Sequence, residues 1–129
     1  FSEQKAKWTN LAPRNFFLLE RTSQDLRRRI EARVETMFER GLVEETCSLR
    51  SELEASPIAQ QALGYRQVIS HLKGEQGLPE TVNLVKSRTW KFARRQKTWF
   101  KKINQATVVQ ASENEGPEEI ARQIIKLIE

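Results

Sequence analysis

LPETVNLVKSRTWKFARRQKTWFKKI, from Leu78 to Ile103, is the stretch that decides the fold. Pro79 suits a first helical turn, where its missing N–H would have no partner. Beyond it no Gly or Pro interrupts, and Val82, Val85, Thr89, Phe92, Ala93, Gln96 and Phe100 recur at helical spacing. Basic residues flank that apolar stripe, and Phe100 and Trp99 are expected to reach into the core. A helix this long makes the chain mainly α. From Thr81 to Ser112 there is no Asp or Glu, while Lys86, Arg88, Lys91, Arg94, Arg95, Lys97, Lys101 and Lys102 all fall there. Glu113, Glu115, Glu118 and Glu119 restore the negative charge. Such segregation of sign points to a polyanionic partner.

Working outward, Ser56-Pro57 is a helix start that pauses near Gly64 and resumes through Val68, Ile69 and Leu72 to Gly74. A helix over Leu42–Glu54 would turn Val43, Cys47, Leu49 and Leu53 inward. Before it, Thr22 or Ser23 opens a helix with Asp25 near its positive end; Leu26, Ile30, Val34, Met37 and Phe38 form its stripe, and Gly41 its left-handed cap. Phe16-Phe17-Leu18-Leu19 reads as a strand apolar on both faces. The chain offers it little sheet, so its expected partners are strands of a missing core or a second copy. Residues 104–116 are a loop holding a short strand, Thr107-Val108-Val109, and Pro117 starts a last helix with Ile120, Ile124, Leu127 and Ile128 on one face.

Composition narrows the function. The chain has 129 residues, a formal charge of +5, a sequence pI near 9.7 and a mean hydropathy of −0.64. No apolar run approaches the roughly 20 residues of a membrane span, so no membrane partner is expected. Cys47 is alone, which excludes an intrachain disulfide, and with His71 it cannot supply a structural zinc site. A reducing, cytoplasmic setting is expected. Cys47 reads as a small core residue and His71 as a surface or packing residue. There is no G-x-x-x-x-G-K-[ST] loop. The start at Phe1, with neither an initiator Met nor a secretory signal, suggests a piece of something longer.

Three groups of residues carry chemistry. Arg27, Arg28, Arg29 and Arg33 lie beside the stripe of the first helix; they are either a solvated basic face or a clamp for phosphate or diphosphate. Gln61, Ala62, Leu63, Gly64, Tyr65 and Arg66 combine a helix break with a ring and a cation. Arg94, Arg95, Gln96, Lys97, Thr98, Trp99, Phe100 and Lys101 interleave cations with aromatics, which suits single-stranded or distorted nucleic acid.

Taken in order, these blocks resemble the tRNA dimethylallyltransferases, or tRNA isopentenyltransferases. The resemblance rests on Arg29 to Val34, Gly41 to Glu45, Gln61 to Arg66 with Gln67-Val68-Ile69, and Phe92 to Phe100. It covers roughly Trp8 to Lys101, and implies the helical C-terminal part of a P-loop-type α/β enzyme, with one or two short strands belonging to the parent sheet. The activity implied is transfer of a dimethylallyl group from dimethylallyl diphosphate to N6 of the adenine 3′ to the anticodon. By position, Arg33 matches the diphosphate contact, and Gln61 to Arg66 and Arg94 to Lys101 match stretches that touch tRNA. Position 97 is Lys where relatives usually carry an aliphatic residue. The implied partners are a tRNA anticodon stem-loop, dimethylallyl diphosphate and the enzyme's own upstream nucleotide-binding P-loop core. Mg²⁺ is expected, held mainly by that upstream part. The implied organisation is 1–21 as the end of an upstream element and a core strand, 22–103 as the contacting helical region, and 104–129 as loop, strand and final helix. Alone, such a fragment is expected to be inactive. The alternatives are a stand-alone basic helical RNA-binding module without catalysis, and a structural domain whose charge only aids solubility.

Overall fold

The computed structural model describes residues 15–62, 64–103 and 105–129. Chain order is β1 (Phe17–Glu20), α1 (Ser23–Glu39), α2 (Leu42–Ala55), a 3₁₀ turn (Ala59–Gln61), α3 (Tyr65–Leu72), α4 (Leu78–Phe100), β2 (Thr107–Gln110) and α5 (Pro117–Ile128). The described residues up to Leu26 and from Arg95 onward form one compact unit; Arg27–Arg94 form the other.

In the first unit β1 and β2 pair in parallel, with Phe17 opposite Thr107 and Glu20 opposite Gln110. Thr107 N–H donates to Phe16 O and Ala111 N–H to Glu20 O, both at 2.8 Å. The first strand thus has a partner along one of its edges within the chain, which corrects the expectation that this chain leaves it unpaired. Parallel pairing needs a long crossover, which hides the partnership from any local reading of the sequence. Val109, Ala111 and Ile120 are this unit's buried apolar residues, while Leu19 and Val108 are half exposed. The Arg21 guanidinium reaches Asp25 at 3.1 Å and Ser112 O at 3.5 Å. Thr22 Oγ1 accepts from Asp25 N–H at 3.1 Å, which satisfies one open donor at the start of α1. The expected apolar face of α5 is covered only at Ile120 and partly at Ile124; Leu127 and Ile128 are exposed.

The second unit's buried residues are Ile30 and Val34 on α1, Leu42, Thr46 and Leu53 on α2, Val68 and Ile69 on α3, and Thr81 and Val85 on α4. The stripe expected on α2 is therefore rotated. Thr46 is fully buried and Cys47 is exposed, the reverse of the expectation. The cause is local: Thr46 Oγ1 donates to Leu42 O at 2.7 Å, so its hydroxyl enters the core without losing a hydrogen bond. On α4 only Val85 of the long stripe is buried, with Thr81, outside the stripe, the helix's other buried residue, and Phe92 stands 54% exposed. Periodicity marks the apolar side of a helix; it does not say how far along a neighbour covers it.

The helix expected from Ser56 contracts to the single 3₁₀ turn, with Ser56 Oγ accepting from Ala59 N–H at 3.3 Å. Gly64 then opens α3 at φ 80°, in the left-handed region. A Cβ at Gly64 would sit 2.9 and 3.0 Å from the two Val85 methyls, closer than carbon atoms pack. Gly74 has a similar φ of 81° but open space around it. Gly74→Ala should therefore cost about 1–2 kcal/mol from backbone strain alone, and Gly64→Ala about 1–3 kcal/mol more from overpacking. Thermal denaturation of both variants measures the difference; equal losses would contradict the close approach.

Candidate nucleic-acid interface

The guanidinium groups of α1 divide by their partners. Arg27 stacks over Trp90 at 5.6 Å from the ring centroid and also approaches Glu31 at 3.6 Å. Arg28 and Arg29 are exposed, and each has a partner of its own. Arg33 is exposed and makes no ion pair among the described residues. Two residues on, Glu35 accepts a hydrogen bond from Lys86 Nζ at 2.6 Å, which ties this part of α1 to α4.

The second stretch is a turn followed by a helix start. Gln61, Ala62 and Arg66 are exposed, and Leu63 lies outside the described residues. Tyr65 O–H donates to Glu45 Oε1 on α2 at 2.9 Å. Accepting from the neutral phenol, the Glu45 carboxylate holds the Tyr65 hydroxyl above its ordinary pKa; slight burial and the carboxylate's charge push the same way. Sequence reasoning has Glu45 and Gln67 only as members of motif blocks, because nothing local marks either as a partner of a group on another helix. An amide's two ends are told apart by their partners. With Nε2 toward Gly64 O and Oε1 toward Arg88 Nε, each at 3.3 Å, both ends of Gln67 are satisfied.

The third stretch belongs to the last turns of α4. Arg94 lies in the second unit; Arg95, Gln96, Thr98, Trp99 and Lys101 are exposed residues of the first. Lys97 is half-buried and faces Glu20 at 3.7 Å, and Glu20 also accepts from Gln110 Nε2 at 2.7 Å. Trp99 is 60% exposed, which corrects its expected burial. Adjacent helix positions point about 100° apart, and here Phe100 takes the more covered direction and Trp99 the more open one. Their rings meet edge to face with centroids 4.9 Å apart. Among the described residues no three His, Cys, Asp or Glu side chains gather as a metal site, and His71 Nδ1 lies 2.9 Å from Gln76 O.

Two outcomes follow. The phenol of Tyr65 should titrate with a midpoint above 10 in ultraviolet absorbance, and Glu45→Gln should lower it. Because its folded pKa is raised, Tyr65 contributes stability that is complete below about pH 10 and lost as pH rises through the folded value. No shift between wild type and Glu45→Gln would contradict the bond. Trp99→Ala should change folding stability by less than about 1 kcal/mol in chemical denaturation, whereas a loss of about 3–5 kcal/mol would mean that the ring is a core residue after all.

Comparison with known proteins adds a family. Residues 1–103 match the family model described as IPP transferase. A tRNA dimethylallyltransferase of Desulforamulus reducens is 40% identical over 103 residues, covering 80% of this chain and 36% of that protein. One from Acetivibrio thermocellus is 37% identical over 116 residues, covering 87% and 37%. The chain thus spans little more than a third of the length of these relatives. Among solved structures, a tRNA delta(2)-isopentenylpyrophosphate transferase of Staphylococcus epidermidis matches with a TM-score of 0.74 and 28% identity, over 88% of this chain and 37% of that one. A tRNA isopentenylpyrophosphate transferase of Bacillus halodurans shares the fold, with a TM-score of 0.79 at 24% identity over 98% and 42%.

Proposed function

This chain belongs to the IPP transferase family, and from that premise we propose that it is the C-terminal portion of a tRNA dimethylallyltransferase. In the proposed reaction the N6 amine of the adenine 3′ to the anticodon attacks the first carbon of the dimethylallyl group. The bond from that carbon to the diphosphate oxygen breaks, diphosphate departs with the electron pair, and N6 loses a proton. One observation carries this reading: the family match spans the whole run of cations from Lys86 to Lys102, and Arg88, Arg94, Arg95, Lys101 and Lys102 stand exposed there.

The residues then take distinct roles. Arg33, exposed and without an ion pair among the described residues, is the diphosphate contact, neutralising charge that grows on the leaving group. Gln61 to Arg66 and Arg94 to Lys101 meet the anticodon stem-loop, cations against phosphate and the exposed Trp99 ring against a base. The target adenine must leave its stack to react. Mg²⁺ would be held mainly by the upstream nucleotide-binding P-loop core. No described helix is long and apolar enough to cross a membrane, and a cytoplasmic site accords with a tRNA substrate.

In the enzyme that includes the P-loop core, Arg33→Ala should slow turnover much more than it weakens tRNA binding. The loss of this transition-state contact should add about 2–4 kcal/mol to the barrier. Single-turnover rates and tRNA dissociation constants measured together check this. Wild-type turnover would remove Arg33 from the site, and a parallel Arg29→Ala tests the neighbouring candidate one turn away.

A further inference from the structure

We propose that Arg88 is a further RNA-phosphate contact, outside the two stretches named above, and that Gln67 is its positioning residue. The inference rests on the RNA reading of the preceding section. The first turn of α3 meets α4 at two points one helical turn apart. Gly64 lies against Val85, and Gln67 Oε1 accepts from Arg88 Nε at 3.3 Å while its Nε2 donates to Gly64 O at 3.3 Å. Gln67 is itself held, since Gln76 Nε2 donates to its backbone O at 3.0 Å. One amide therefore joins the Gly64 turn to a guanidinium on the acid-free stretch.

The nature of the partner is what matters. Lys86 is matched by the Glu35 carboxylate and Arg27 by Glu31, so much of their charge is answered within the protein. Arg88 is exposed, and among the described residues no carboxylate pairs with it. A neutral amide uses only the Nε–H. It fixes the plane of the guanidinium, leaves both terminal nitrogens open and neutralises nothing. An oriented, uncompensated fork of donors is the complement of a phosphodiester. Its position beside Gln61 to Arg66 selects RNA as the source of that phosphate.

The test is fluorescence anisotropy of a labelled anticodon stem-loop bound to the full chain, at several KCl concentrations. Arg88→Ala should weaken binding roughly 3–10-fold at low salt and reduce the slope of log affinity against log salt by roughly 0.7–1. Arg88→Lys should keep the slope. Gln67→Ala should weaken binding in the wild-type background and add nothing in the Arg88→Ala background. Equal losses in both backgrounds would overturn the positioning role. Arg95→Ala separates the two levels of the reading. If it weakens binding while Arg88→Ala binds like wild type, this inference fails and the RNA surface stands. If wild type shows no salt-dependent binding, the RNA reading fails and this inference with it.

Discussion

The Val85 side chain fills the place where a side chain on residue 64 would stand, and this is the constraint on which the start of α3 turns. No side chain fits there, and the backbone needs a positive φ that glycine alone adopts without strain. The turn comes close to α4 where α3 starts, while the body of α3 packs chiefly against α2, and Val68 and Ile69 are buried. The same approach fixes where the neighbouring polar groups point: Tyr65 toward Glu45, Arg66 outward and Gln67 toward Arg88. A packing requirement at one carbon thus bears on the direction of the side chains from Tyr65 to Gln67.

Charge in this chain is sorted by partner as much as by position. Lys86, Arg27 and Arg50 face carboxylates in the described residues, and Lys97 faces Glu20. Exposed pairs of this kind add little to stability, but they remove cations from those available to an external anion. Among the described residues no such carboxylate faces Arg33, Arg88, Arg95 or Lys101. Net charge alone cannot distinguish the two sets. What distinguishes them is which acids the fold brings near.

The helices were legible because their signals are local. Apolar spacing, the glycine near position 64 and Pro117 marked elements that fall close to where they were expected. What failed was decided by distant or compensating groups. Thr46 reads as polar until its hydroxyl finds Leu42 O, and Cys47 reads as apolar until Thr46 takes its place. β1 seemed to lack a partner because β2 lies across nearly the whole chain. Trp99 looked like core because burial follows what covers a residue, not how large its ring is. In the candidate site the motif stretches are visible in the sequence, but the bond from Tyr65 to Glu45 and the link from Gln67 to Arg88 join separate helices and emerge only from the fold.

Photocrosslinking tests the proposed surface most directly, without altering any protein residue. An anticodon stem-loop carrying 4-thiouridine would be irradiated on the chain and the attached peptides identified by mass spectrometry. Crosslinks should concentrate in Gln61–Arg66 and in the stretch from Arg88 to Lys101, with Tyr65 and Trp99 the favoured attachment points. Crosslinks confined to α2, where Glu44, Glu45, Glu52 and Glu54 are exposed, or to α5 would contradict the assignment of this surface to RNA.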